Sequence, residues 1–377
     1  MTKTFLLAGA ASLVFTAPAL AQGIDVSNHG MHAHHDHHSH HGAHDHSQAP
    51  VAPIGVMGDH LHEKGGWMLS YRFMRMHMDG NQIGTDDVSP EEIVTTVANR
   101  FSGVAGQPAT LRVVPTEMDM NMHMFGAMYA PTDWLTLMGM AMWQEKDMEH
   151  ITFQGGAGTT RLGTFKTQSE GWGDTKLSAL VGVFNNDAHR IHLNLGLSLP
   201  TGSIKESGVV LAPNGMTPRL RLPYAMQLGT GTYDFHPGVT YTGHQDDWSW
   251  GAQYSAEIRL EDENSQGYSW GDKHGVTAWG GYRWAEWLSS SVRLTASTQD
   301  KIDGIDPNIV APVQTADPDN FGGEIVEAGL GFTLTGVEGW SKDHSLGIEF
   351  TAPLYQDLNG PQMERDYALT LGWKTSF

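Results

Sequence analysis

From Gly66 to Phe377, apolar and polar side chains alternate with a period of two in a succession of windows separated by Gly-, Pro-, Asn- and Asp-containing turns. The pattern predicts twelve strands, at 66–79, 118–130, 134–148, 172–185, 189–199, 226–243, 248–261, 270–284, 287–299, 322–336, 343–353 and 366–377. Short connections follow the even-numbered strands: 131–133, 186–188, 244–247, 285–286 and 337–342. Longer ones follow the odd-numbered strands.

In the final strand Tyr367, Leu369, Leu371, Trp373 and Phe377 share one face, while Ala368, Thr370, Gly372, Lys374 and Ser376 share the other. The fifth strand sets Ile191, Leu193, Leu195, Leu197 and Leu199 against Arg190, His192, Asn194, Gly196 and Ser198, and the seventh repeats this with Glu257, Arg259 and Glu261 on its polar side. A soluble sandwich or lipocalin-like barrel would bury the apolar face. A transmembrane antiparallel β-barrel turns it to lipid, and there an Arg or Lys at mid-membrane would cost roughly 2–4 kcal/mol, so the charged face must look inward. An even strand count leaves both termini beside the short turns, which are periplasmic in outer-membrane barrels. An aromatic last residue, Phe377, fits a strand presented to barrel-assembly machinery.

The N-terminus agrees with export. Lys3 precedes an apolar run from Phe5 to Phe15 and then Ala19-Leu20-Ala21, a signal-peptide pattern over 1–21 that leaves Gln22 as the mature start. The run is too short for the roughly 20 residues of a spanning helix. Residues 22–65 read as a periplasmic tail with too few large apolar side chains to fold alone, and hence disordered. The barrel is expected over 66–377, with one long loop, 80–117, in which Ser89 and Pro90 start a short helix.

A net charge of -20 disfavours nucleic acid as a partner and would draw cations to the pore mouth. The chain has no cysteine, which removes disulfides, thiolate metal sites and thiol catalysis. His-Glu-x-x-His does not occur, and the one Gly-x-Ser-x-Gly match, Gly267-Tyr268-Ser269-Trp270-Gly271, leads into no helical pattern and so makes no nucleophile elbow; an enzyme is not expected. Membrane lipid and a small solute or metal ion are the expected partners.

Two clusters carry candidate metal chemistry. The tail holds His29, His32, His34, His35, His37, His38, His40, His41, His44 and His46, and His60 and His62 follow just before the first strand. Imidazoles in such a tract suit Cu(II), Zn(II) or Ni(II); the bland alternative is a solvated linker. The second cluster comes from parity on the first three strands. Met68, Met74, Met76 and Met78, then Met118, Met120, Met122, Met124 and Met128, then Met138, Met140, Met142 and Met148 all fall on the inward side. Thirteen of the nineteen methionines thus share one wall. Thioethers are soft ligands suited to Cu(I), as cargo or ligand and not as a required cofactor. They also fill irregular space and adapt to apolar solutes, so packing and apolar-solute contact stay open as alternatives.

Three further stretches bear on family. Gly171-Trp172-Gly173-Asp174-Thr175, Leu199-Pro200-Thr201-Gly202 and Gly229-Thr230-Gly231-Thr232-Tyr233-Asp234 occur in this order. They resemble the marks of the outer-membrane family named for the meta-pathway of phenol degradation, over roughly 170–377. The resemblance implies a barrel passing small solutes, first thought to be aromatic, and supplies no catalytic residues. The segment from Ile54 to Met78 is similar to a Met- and His-rich subgroup of that family associated with copper. A small-solute channel linked to copper is the resulting expectation, with a passive channel for aromatic or apolar molecules, or a metal-sequestering protein without transport, as alternatives.

Overall fold

The structure, a computed structural model, describes residues 52–377. The histidines from His29 to His46 and the expected signal peptide lie outside the described residues.

The chain runs β1 (Trp67–Gly84), β2 (Asp86–Asp87), α1 (Pro90–Thr96), β3 (Val113–Thr132), β4 (Leu135–Phe153), β5 (Arg161–Trp172), β6 (Thr175–Asn185), β7 (His189–Leu199), β8 (Ser207–Val209) and β9 (Arg219–Arg221). It continues through β10 (Asp234–Gln245), β11 (Trp248–Arg259), β12 (Tyr268–Ser269), β13 (Lys273–Ala285), β14 (Leu288–Gln299), β15 (Asp303–Gly304), β16 (Gly323–Thr335) and β17 (His344–Ser376). Consecutive long strands pair antiparallel, and β1 pairs with both β3 and β17, which closes the barrel.

A closed, all-antiparallel ring needs an even number of staves. The 33-residue β17 supplies the parity, because straight it would reach roughly 110 Å. It turns back at Gly360, whose φ of +64° suits glycine, so that its first arm pairs with β16 (Leu334 opposite Leu346) and its second with β1 (Phe73 opposite Leu371). Strands β5 and β6 both pair with β4 and form one broken stave, giving twelve in all. The expected strand at 172–185 is therefore only the lower part of a stave that begins at Arg161.

The sidedness follows the parity. Leu69, Phe125, Leu137, Leu177, Leu195, Val276, Val292, Leu330, Ile348 and Leu371 are exposed on the outer wall. Paired aromatics, Trp67 with Tyr129 and Trp248 with Tyr282, ring the end that carries the short turns. Trp67 N donates to Phe377 O at 2.8 Å, so the end of the last strand closes beside the start of the first at this turn end.

Three staves rise well past the apolar belt. Strands β1, β3 and β4 extend to Gly84, back to Val113 and up to Phe153, shortening the expected 80–117 loop to 85–112. Helix α1 starts where expected, with Ser89 Oγ accepting from Glu92 N, and packs Ile93 and Val94 against Leu111, Val114 and Phe153. A second apolar cluster, including Phe101, Tyr224, Tyr268, Ile302, Ile309 and Phe321, unites four loops into a cap over the loop end.

Candidate functional site

The lumen is shaped by three parts: a floor from the N-terminal segment, a wall of methionines, and a roof from an inturned loop.

The floor is the unexpected part. Residues 52–62, assigned from sequence to the disordered tail, lie inside the turn end of the barrel. The wall holds this segment by its backbone, since a short chain without periodicity has no ladder partner of its own. His192 Nε2 donates to Gly58 O (2.8 Å), Gln253 Nε2 to Met57 O (2.9 Å) and Arg72 Nη2 to Val56 O (3.4 Å), while Glu349 accepts from Gly55 N (3.4 Å). Inward glycines make room: a Cβ on Gly372 would stand 2.6 Å from Ile54 Cδ1, and one on Gly182 would stand 3.0 Å from Leu61 Cδ1. Burial disfavours the charge on Asp59, yet His60 at 3.0 Å, with Lys374 and Arg72 nearby, holds its carboxyl far below the usual carboxylate range. The His60 and His62 rings sit edge to face at 4.8 Å, at the turn end as expected from their place in the chain.

Above the floor the methionines stand in register. Met68 lies opposite Met128 and Met128 opposite Met138; Met124 is opposite Met142; Met74 is opposite Met122; Met76 is opposite Met120; Met78 is opposite Met118 and Met118 opposite Met148. Directly opposed Cβ atoms are about 5 Å apart and same-face rows about 7 Å apart, so thioethers in one row can converge on one ion and successive rows form steps.

Burial divides the wall by role. Met68 and Met128 pack under Leu180, with Leu61 and Met138, and Met118 and Met148 pack against Leu222 and Met226, with Met78 beside them. For these the packing alternative describes what they touch. Met74, Met76, Met120, Met122, Met124, Met140 and Met142 stay half-buried between the two clusters.

The roof is the loop between β7 and β10. Lys146 Nζ donates to Ala225 O (3.0 Å) and Gln227 O (2.6 Å), Gln144 Nε2 to Leu228 O (2.9 Å) and Ser169 Oγ to Met226 O (2.7 Å). Floor and roof thus approach within a few residue rows on the methionine wall.

The three family-like stretches converge where the fourth stave breaks. Asp174 accepts from Gly202 N (2.8 Å), Thr230 N (2.8 Å) and Thr230 Oγ1 (3.1 Å), while Thr230 and Thr232 hydroxyls donate to Asp234, which also pairs with Arg259 at 2.7 Å. A Cβ on Gly202 would meet Gly229 Cα at 2.7 Å, so two backbones cross here that only glycine permits. The knot anchors both ends of the roof loop.

His77 and His123 turn outward, at the parity opposite the methionines. His77 Nδ1 lies 2.9 Å from Asp119, which also accepts from Arg75, and His123 Nδ1 lies 2.8 Å from Tyr71 OH. His77, Glu117 and Asp119 bring one ligand atom each within 4.8 Å, on the outer wall and away from the methionines. His192 is known from sequence only as an inward polar residue of the fifth strand, and Gln253 is not singled out at all; their signal was a polar inward side chain at a depth where the lumen is filled.

The sequence matches no protein-family model and no curated protein. Among solved structures, an outer membrane channel from Pseudomonas putida F1 is similar over 85% of this chain and 99% of its own, at 16% identity and a TM-score of 0.52. A Pseudomonas aeruginosa FadL homologue (83% and 89% covered, 10% identity, TM-score 0.40) and the TodX monoaromatic hydrocarbon channel in a deletion mutant (84% and 90%, 7%, 0.42) also match. The first likeness establishes the fold: this chain is a transmembrane β-barrel of the outer-membrane type.

Proposed function

We propose that this chain is an outer-membrane channel for a small solute, with its turn end in the periplasm, and that the solute is a soft metal ion, Cu(I) first. The barrel neighbour being a channel supports the first half. The second rests on one observation: seven half-buried methionines lie between floor and roof, in consecutive rows, in a lumen where polar side chains are the rule. Weak thioether ligands spaced by about 7 Å would pass an ion from row to row instead of trapping it. The histidines from His29 to His46, with His60 and His62, would collect Cu(II), Zn(II) or Ni(II) on the periplasmic side. Nothing in this reading calls for catalysis, and Phe377 serves barrel assembly.

Cu(I) stoichiometry on the purified, tail-free barrel tests it. Replacing Met74, Met120, Met122 and Met124 by Leu conserves volume, so the barrel should fold while bound Cu(I) falls by at least half. Absence of stoichiometric Cu(I) on the unsubstituted barrel refutes the copper reading and leaves the wall as an adaptable surface for apolar solutes.

A further inference from the structure

Between the roof loop and the loop-end cap lies a cavity of about 580 Å³ that none of the preceding roles uses. Its walls come from four loops and the upper ends of β3, β4 and β5, and include Phe165, Val210, Leu220, Leu222, Val310 and Pro312. Two of the polar side chains that line it are buried. His150 and Thr167, each 3% exposed, are diagonal neighbours across β4 and β5, since His150 stands opposite Phe165 and Met148 opposite Thr167. His150 stacks on Phe165 with ring centres 4.7 Å apart. Yet His150 Nδ1 and Thr167 Oγ1 have no hydrogen-bond partner in the protein.

Buried polar atoms are nearly always satisfied, so two orphans side by side on the wall of an apolar cavity ask for an occupant. We propose that this cavity binds a small neutral molecule with an apolar body and one hydroxyl or comparable group, which His150 Nδ1 and Thr167 Oγ1 together satisfy. A hydroxyl can donate to the imidazole nitrogen while accepting from the threonine, or the reverse with the other tautomer. The lining favours a neutral guest: its one charged side chain, Arg221, is engaged by Ile204 O at 2.9 Å and by Asp306 at 3.6 Å. A single imidazole without a second nitrogen, thiolate or free carboxylate makes a poor metal site. The cavity sits on the loop side of Leu222, which belongs to one apolar cluster with Met118, Met148 and Met226, so a guest held there rests above the methionine wall. This inference does not depend on the copper reading.

Equilibrium dialysis of 1-naphthol and naphthalene against the full chain in lipid nanodiscs, with empty nanodiscs as blank, tests it. The two probes share an apolar body and differ by the hydroxyl. Saturable binding of one 1-naphthol per chain, about tenfold or more tighter than naphthalene after blank subtraction, is expected, because a site built around a hydroxyl leaves its polar atoms unpaired with the other probe. His150→Phe keeps the stack on Phe165 and Thr167→Val keeps the shape; each should erase most of that preference, and His150→Gln should retain part of it. Heat-modifiable electrophoretic mobility confirms that each variant is a folded barrel. No saturable binding, which would leave water as the occupant, or equal affinity for both probes, or a preference unchanged in folded His150→Phe and Thr167→Val, overturns the proposal.

Discussion

The floor segment is seated in a socket that one substitution should spoil. Ile54 lies between two inward glycines of neighbouring arms: a Cβ on Gly372 would stand 2.6 Å from Ile54 Cδ1 and 2.7 Å from its Cγ1, and a Cβ on Gly347 would stand 3.1 Å from Ile54 Cβ. Gly372→Val should leave the wall intact, since valine suits a strand and the backbone ladder is untouched. The cost falls on the seated floor. Overpacking of this size costs about 1–3 kcal/mol, which raises the unseated fraction roughly 5- to 150-fold.

The chain lacks cysteine, so Val56→Cys gives a single reporter thiol at a position only 3% exposed. Its reaction with a water-soluble maleimide tracks transient release of the floor. Labelling should accelerate by that same roughly 5- to 150-fold factor in Val56→Cys/Gly372→Val, and adding Ile54→Ala, which empties the contested space, should return it to within a few-fold of the starting rate. An unchanged rate, or an acceleration that survives Ile54→Ala, refutes the socket.

Other consequences concern the cap and the roof. Asp319 is held below its ordinary carboxylate value of 3.8 by Lys301 and Arg100, so its contribution is complete above that value and fades as pH falls through the depressed one. Hydrogen exchange over 314–322, corrected for intrinsic rate, should stay protected down to about pH 4 and lose protection below it, a step missing in Asp319→Asn. Arg112 is fully buried and donates to Gly155 O, Gly158 O and Gln154 O at 2.8–3.0 Å. Arg112→Lys cannot reproduce that fork, and the 154–158 turn should become protease-sensitive, with local stability lowered by about 3 kcal/mol while the barrel stays folded. Asp174→Ala leaves the Gly202 and Thr230 amides without their acceptor, and exchange at those two amides should quicken by roughly 5- to 150-fold relative to strand amides.

The staves within the apolar belt were legible because lipid imposes a strict period of two there. Leu193, Leu195 and Leu197 meet lipid while His192, Asn194 and Gly196 meet the lumen, and no register slip is tolerated. Above the belt lipid no longer imposes that contrast. Arg75, His77, Asp119, Glu145 and Asp147 face outward on β1, β3 and β4, so the outer face is as polar as the loops that follow, and by pattern the strands stop at 79 and 148 and begin at 118. The floor left a different trace. Gly347 and Gly372 give their inward faces no side chain, which is a cost in a strand unless another backbone or side chain arrives. Ile54 arrives from a segment nearly 300 residues away in sequence, which no local pattern could reveal.

The order of charges along the lumen constrains how the methionines can act. Arg72 stands in the row of Met124 and Met142, and Lys146 in the row of Met76 and Met120. Arg72 has Asp59 and Glu349 near it, whereas Lys146 is tied to carbonyl oxygens of the roof. At a separation of about 5 Å and an effective dielectric near 20, Lys146 would oppose a monovalent cation on Met120 by about 3 kcal/mol. Charge alone therefore steers cations away from the very row that carries sulfur. A metal ion can reside there only if thioether bonding exceeds that repulsion, or if the roof lifts and takes the ammonium with it, whereas a neutral solute meets no such barrier. The soft-ligand reading thus requires either thioether bonding stronger than this repulsion or movement of the roof, whose two ends are held by the knot at Asp174.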